Sequence, residues 1–325
     1  MRFCFVVNDR REPSVEQTTT LLISAAARRG HEVLVCGVGD FTVNDDGTLR
    51  GLGCRVEATE PAAVVEELLR GRASSRALGE QDLCIIRTNP GRDEARRAEH
   101  VAALRLLERL DEQGVRVINH PRGLCRAQTK LSLLEAPASL RPRTLITRDV
   151  AVIERFLDEA SNRIVIKPLD GTRGRDVFVL EPAGPQANTK QIIEVVLRRG
   201  YAMVQEFVPG ADRGDVRVTV VNGRILEVDG QPAVIARVPR GGDFRSNLHV
   251  GGAAQPSGVT DAMQEAVAQI APHLRREGLF HVGVDFVGGR ILELNVFSPG
   301  GLHPSERLYG RDFSGAVIEA FEQRA

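Results

Sequence analysis

The run Arg290-Ile291-Leu292-Glu293-Leu294-Asn295-Val296, with Asp285 just upstream, sets acidic and amide oxygens inside apolar, strand-like sequence. Successive side chains of a strand point to opposite faces, so Glu293 and Asn295 project together while Leu292 and Leu294 project the other way. A carboxylate and an amide side by side in such a strand are costly unless something compensates them. Asp285 lies in a second apolar run, Val282 to Val287, and Gly288-Gly289 mark a turn between the two. Brought together, the three would form the hard oxygen set that holds Mg²⁺ beside a phosphate. A plain two-residue hairpin over Gly288-Gly289, however, pairs Asp285 with Leu292 and sends Asp285 and Glu293 to opposite faces. The metal reading therefore requires an odd loop (Gly288 to Arg290) or a β-bulge, either of which glycine makes easy. Three solvated polar residues on the outer face of a hairpin explain this stretch equally well.

Other segments carry potential chemistry. Ile164-Val165-Ile166-Lys167 ends an apolar strand in a lysine, and a loop with Asp170, Gly171 and Gly174 follows. A buried ammonium needs a partner; a phosphate would supply one, and the loop N–H groups could cover its oxygens. No Gly-Lys-Ser/Thr occurs and no helix follows directly, so this is not a P-loop. Taken alone, the segment is better explained by a lysine snorkelling beside a strand–Gly–strand turn. Lys130, in Gln128 to Leu134, is by itself a solvated helix lysine. Met203 to Gly210, containing Gln205, Glu206, Phe207 and Val208, runs a strand into a Pro-Gly break. That break would free backbone groups to read the edge of a flat base, although a β-turn is the simpler local reading. The long Gly-, Arg- and Asn-rich loop 236–252, with Arg237, Arg240, Arg245, Asn247 and His249, is expected to be an ordered lid over an anion. His249 reads as a satisfied loop residue. Arg87 ends the strand Cys84-Ile85-Ile86-Arg87, where α/β sheets bind ligands. It is a candidate for a substrate carboxylate, or else an exposed strand-end arginine.

The elements that must position these residues change character along the chain. Strands at Arg2–Val7, Glu32–Gly37, Asp82–Arg87 and Val115–Asn119 alternate with helices at Val15–Arg29, Pro61–Leu69 and Asp93–Gln113, which predicts a parallel sheet covered by helices. No Gly-x-Gly-x-x-Gly follows the first strand. Pro121 to Pro142 is a joint, after which strands and helices group as α+β. The balance of 43 Lys plus Arg against 43 Asp plus Glu leaves no global field to recruit nucleic acid or an anionic membrane. Five cysteines without a Cys-x-x-Cys pair point to a reducing cytoplasm, not a disulfide framework or zinc site. The first apolar run is too short for a signal peptide, and no stretch reaches membrane-spanning length.

In order, these segments resemble the ATP-grasp ligases, specifically their bacterial glutathione synthetase branch, along nearly the whole chain. The likeness rests on Val117-Ile118-Asn119-His120-Pro121 before Lys130, Lys167-Pro168-Leu169-Asp170-Gly171, Ala236 to Gly242, Gly283-Val284-Asp285-Phe286 and Leu292 to Val296. It implies an ATP-grasp architecture, α/β and α+β, with an N-terminal parallel-sheet (pre-ATP-grasp) domain over residues 1–122. A central subdomain with the phosphate lid would span 123–199, and a C-terminal one with the metal site 200–325. Lys130 and Lys167 would bind the ATP phosphates under a lid at Gly171 to Arg175, with Asp170 and Gly174 beside them. Gln205, Glu206, Phe207 and Val208 would surround adenine, and Asp212 or Asp215 the ribose. Asp285, Glu293 and Asn295 would ligate two Mg²⁺ ions, for which Mn²⁺ could stand in, and Arg237 would stabilise phosphoryl and tetrahedral groups. Arg87, Arg245, Asn247, Ser298, Gly300 and Gly301 would face the substrates.

The resemblance implies an ATP-dependent carboxylate–amine ligase acting through an acyl phosphate, joining γ-glutamylcysteine to glycine. It also implies small-molecule partners and a homo-oligomer in the cytoplasm. Departures concentrate near the substrates. The branch carries Gly-Gly in the phosphate lid where this chain has Thr172-Arg173-Gly174, and Lys-Asp-Pro-Pro after the strand-end Arg where it has Thr88-Asn89-Pro90-Gly91. Ser298-Pro299-Gly300 and Asp243 to His249 look more like the ribosomal-protein glutamate ligases of the superfamily. A ligase for another small peptide, amino acid or protein tail is therefore the alternative. A nucleotide-binding module without turnover is disfavoured by the intact Asp285/Glu293/Asn295 set.

Overall fold

Phe3 and Phe5 pack to one side of the first strand, Arg2–Val7, while Cys4 and Val6 pack to the other, so this strand needs cover on both faces. The computed structural model, which describes residues 1–170, 175–182, 186–239 and 252–324, supplies it. Arg2–Val7 pairs in parallel with Glu32–Val43 and Leu83–Arg87, and the latter with Arg116–Ile118. The expected parallel sheet is extended by two antiparallel strands, Leu49–Val56 and Ser74–Ala77. Gly51 and Gly53 dilute the apolar signal of Leu49–Val56. Both are needed, because a Cβ there would lie 2.8 and 2.6 Å from the Cys36 Sγ. Helices Thr18–Arg28, Pro61–Arg70 and Arg97–Glu112 flank the sheet. The last begins later than its pattern predicts, since Pro90–Arg92 and Glu94–Arg96 form 3₁₀ turns tied by Asp93 to Arg96 and His100.

Thr144–Thr147, Ala202–Glu206, Ile164–Pro168 and Phe178–Leu180 build a second, antiparallel sheet. Its own core includes Ile153, Phe156, Ile166, Ile193 and Val204. Ala202–Glu206 thus hydrogen-bonds with the central strands, although the range 200–325 groups it with the C-terminal ones.

The third sheet runs Ala253–Gln255, Val234–Val238, Asp215–Val221, His281–Val287 and Arg290–Asn295, with the short strand Arg224–Ile225 on Asp215–Val221. It has two unlike faces. Val218, Val220, Val282, Val284, Phe286, Ile291 and Leu294 join one core with Met263, Val267, Ile270 and Leu274 of helix Asp261–Arg276. Asp215, Arg217, Arg237, Asp285 and Glu293 occupy the opposite face, directly across from one another in the ladder. Helix Leu302–Tyr309, which follows this sheet, has no counterpart among the sequence expectations. Phe313–Glu322 then packs on Thr18–Arg28, with Glu322 bonded at 2.7 Å to Arg29.

Candidate active site

The decisive geometry is the hairpin His281–Val287/Arg290–Asn295. Gly288 and Gly289, with φ of 54° and 79°, make a tight turn, so Val287 pairs with Arg290 and Phe286 with Ile291. The ladder then shifts, and Asp285 faces Glu293 and Gly283 faces Asn295. Leu292 is the extra residue of a β-bulge. The bulge lies at Leu292, beyond the turn, and not within 288–290 where the hairpin closes regularly. Its effect is the one the metal reading requires. Ile291 and Leu294, three apart, both enter the core, while Asp285, Glu293 and Asn295 share the polar face.

Asp285 is buried there and fully engaged. Arg217 Nε and Nη2 donate to its two oxygens at 2.7 Å, Arg237 Nη2 donates at 2.7 Å, and Asn295 Nδ2 at 3.1 Å. Arg237 in turn grips Asp215 with two bonds of 2.6 Å. Burial opposes the charge on Asp285, but Arg217 and Arg237 outweigh it and hold its pKa below the usual carboxylate range. Burial likewise opposes the charge on Arg237, and Asp285 and Asp215 outweigh it. Glu293 differs: half-buried, its carboxylate hydrogen-bonds no described residue, and its charge acts on Lys130 and Lys167.

Both lysines keep a little solvent contact, yet the protein packed around each ammonium dominates. Burial lowers the pKa of Lys167 to about 8, with Glu293 pulling it up and Lys130 pushing it down. Burial also lowers that of Lys130, whose Nζ donates to the carbonyls of Pro168 (3.1 Å) and Leu169 (3.3 Å). A cavity of about 520 Å³ opens here, lined by Lys130, Asp170, Arg199, Glu293 and Asn295 and by Asn89, Pro90, Gly91, Glu94 and Arg97 beyond the N-terminal sheet. Among the described residues no group of three or more His, Cys, Asp or Glu could hold a metal. Two carboxylates and an amide nevertheless suit Mg²⁺, which takes few protein ligands and completes its shell with phosphate oxygens and water. The Glu293 carboxylate and, because the Asn295 Nδ2 turns to Asp285, the Asn295 Oδ1 are without hydrogen bonds among the described residues and are the donors such an ion needs.

Residues 1–125 match the family described as "Prokaryotic glutathione synthetase, N-terminal domain", and residues 129–310 match "Prokaryotic glutathione synthetase, ATP-grasp domain". The chain belongs to the prokaryotic glutathione synthetase family. The glutathione synthetase of Synechococcus elongatus is 34% identical over 318 residues, covering 94% of this chain and 93% of that one. That of Escherichia coli K12 is 32% identical over 308 residues, covering 93% and 92%. Among solved structures, D-cycloserine synthetase DcsG superposes with a TM-score of 0.68 at 17% identity, over 99% of each chain. The ATP-grasp ligase PsnB with its minimal precursor gives 0.65 at 20%, also over 99% of each. At such identities these establish the ATP-grasp fold alone. Family membership makes the chain an ATP-dependent ligase that uses a divalent metal.

Against the glutathione synthetase frame the remaining candidates divide. Gln205 is buried, bonding the Thr144 hydroxyl at 3.0 Å, and Phe207 lies under the Arg163 guanidinium. At this break the N–H groups of Glu206 and Phe207 and the carbonyl of Val208 are already bonded, to Arg143, Arg163 and Ala211. Fewer backbone groups are free for a base than the Pro-Gly break suggests; among the described residues the Val208 N–H has no partner. Asp212 is exposed on a 3₁₀ turn, whereas Asp215 is held by Arg237. Asp170 is exposed, 4.0 Å from Arg97. Gly171, Gly174, Arg240, Arg245, Asn247 and His249 lie outside the described residues.

Arg87 is neither an exposed strand end nor open to a substrate. It is 5% exposed, with its guanidinium bonded to the Thr19 hydroxyl (3.2 Å), His281 Nδ1 (3.5 Å) and the Pro299 carbonyl (2.9 Å). It ties the N-terminal sheet to the segment of Ser298, Gly300 and Gly301, which are half-buried just past the strand Arg290–Asn295. Arg217 escaped the sequence reading of this glutathione synthetase homologue. Its signal was present, since Asp215, Arg217 and Thr219 alternate with valines and must share a face.

Proposed function

We propose that this ligase joins γ-glutamylcysteine to glycine at the expense of ATP, assisted by two Mg²⁺ ions, working in the cytoplasm on small-molecule substrates. The observation that carries the reading is the bulged hairpin, which aligns Asp285, Glu293 and Asn295 opposite Lys130 and Lys167. The substrate assignment draws on the glutathione synthetases similar along most of the chain. Five free thiols, four of them buried, accord with a reducing compartment, and among the described residues no helix is long and apolar enough to cross a membrane.

A carboxylate is a poor acylating agent. The dipeptide's terminal carboxylate oxygen therefore attacks the γ-phosphorus of ATP, ADP leaves, and an acyl phosphate forms. The glycine amine then attacks that carbonyl carbon, phosphate departs and the amine loses a proton. Bound Mg²⁺ spreads the charge that builds on the phosphate oxygens. Asp285, Glu293 and Asn295 would hold the ions, Asp285 by giving up part of its bonding to Arg217 and Arg237, and Lys130 and Lys167 would orient the phosphates. Arg237, fixed by Asp215 and Asp285, presents positive charge to the transferring group. Phe207 and Val208 flank the base. Loops 171–175 and 236–252 would exclude water from the acyl phosphate, in our reading of 1–122, 123–199 and 200–325 as three working units.

The test is ADP release with γ-glutamylcysteine plus glycine, set against a panel of other amino acids and dipeptides. Turnover with the first pair is expected. None with that pair but turnover elsewhere would keep the ligase and replace its substrates.

A further inference from the structure

The side chain of Asn119 is buried between the N-terminal sheet and the candidate metal hairpin, and every hydrogen-bonding capacity it has is used. Its Nδ2 donates to the His281 carbonyl (2.8 Å) and the Val296 carbonyl (2.9 Å). Its Oδ1 accepts from the N–H groups of Phe280 and His281, both at 2.8 Å. These partners lie at the open ends of the two hairpin strands, just past the last rung of their ladder, Gly283 opposite Asn295. One amide therefore takes over the pairing where the strands diverge, donating and accepting as a backbone would. Val296 adjoins Asn295, and His281 starts the strand that reaches Asp285 four residues on, about 13 Å at an extended rise.

The surroundings make this anchor stiff. The His120 N–H bonds the Gly278 carbonyl at 3.0 Å, and Arg126 pairs with Glu277 at 2.8 Å. A side chain at Gly123 would run into the Glu277 carbonyl. Asn119, His120 and the helix Pro121–Arg126 thus grip the open end of the hairpin, while Gly288-Gly289 close the other.

We propose that Asn119 is a positioning residue, which fixes the spacing of the two strands and so the geometry of Asp285 and Asn295 for the metal. This rests on the metal reading above. Asn119→Asp keeps size and acceptors but turns carboxylate oxygens on two carbonyls; Asn119→Ala removes the clamp. Mn²⁺ binding in the presence of ADP is titrated by electron paramagnetic resonance on the full chain for both variants, for Glu293→Gln and for Arg126→Ala. Circular dichroism checks each for folding. The expected result is an affinity loss of about tenfold in the Asn119 variants, as for supporting residues around metal ligands generally. A larger loss is expected in Glu293→Gln and none in Arg126→Ala.

Folded Asn119 variants with wild-type affinity would overturn the proposal while leaving the metal site, provided Glu293→Gln binds weakly. Wild-type affinity in Glu293→Gln would instead remove the metal reading and the proposal with it. An equal loss in Arg126→Ala would reduce the effect to loosening of the junction and overturn it. So would failure of both Asn119 variants to fold, since the residue would then have no separable positioning role.

Discussion

Charged residues inside apolar strands made part of this site legible, because an uncompensated charge is expensive to bury and so signals a partner. Asp285, Glu293 and Lys167 were candidates on that ground, whereas Lys130, by itself a solvated helix lysine, took its reading only from the motifs around it. The structure adds who pays whom: Asp285 answers Arg217 and Arg237, while Glu293 faces the two lysines. Arg87 could not be read the same way, since its fate depends on Thr19 and Pro299, distant in sequence. The lysine pair has a pH consequence. The pKa of Lys167 in the folded protein is about 8, below the ordinary lysine value, so its charge is lost as pH rises through about 8. kcat/KM for ATP, which reports the free enzyme, should fall above about pH 8. In Lys167→Arg, which stays charged, that fall should vanish, and a pH–rate profile unchanged from wild type would refute the assignment. The sign for stability is opposite. The unfolded chain holds this proton more tightly, so the cost of burying the ammonium is full below about pH 8 and is relieved towards pH 10.5.

At the level of elements, strand alternation was enough to state what the hairpin must do but not where it does it. Period two demanded an odd loop or a bulge; placing the bulge at Leu292 required knowing that Ile291 and Leu294 both enter the core. The strand Leu49–Val56 stayed hidden because its glycines serve the close approach of Cys36, a long-range contact. The turn carries its own prediction. Gly289 sits at φ 79°, and a Cβ there would come 3.0 Å from that of Ala262. Gly289→Ala should destabilise the protein by about 1–2 kcal/mol, the usual penalty for a left-handed non-glycine residue. Urea denaturation would measure it, and an unshifted midpoint would show that the turn tolerates a side chain.

For the whole molecule, the order of the motifs carried more than any one of them, and that order spans three sheets. The cavity of about 520 Å³ takes walls from the N-terminal loops, the Lys130 segment and the strand Arg290–Asn295. Its composite walls explain why local sequence left Lys130 ambiguous. The membership of Ala202–Glu206 in the central sheet was likewise invisible, being set by pairing with Thr144–Thr147 and Ile164–Pro168. A site assembled from several units should couple ligand binding to global stability. Mg²⁺ with ADP at a hundred times its Kd should add about 2.7 kcal/mol to unfolding. A thermal scan should show the shift with Mg²⁺ and lose most of it with ADP and EDTA; equal shifts in both would separate nucleotide binding from the metal.

The central claim is that the bulged strand presents Glu293 to a metal that the reaction needs. It is tested most directly by ADP release from Glu293→Gln against wild type across a Mg²⁺ titration, with γ-glutamylcysteine and glycine at saturation. A folded variant without measurable ADP release at Mg²⁺ concentrations that saturate wild type is the expected result. Undiminished turnover in Glu293→Gln would contradict it.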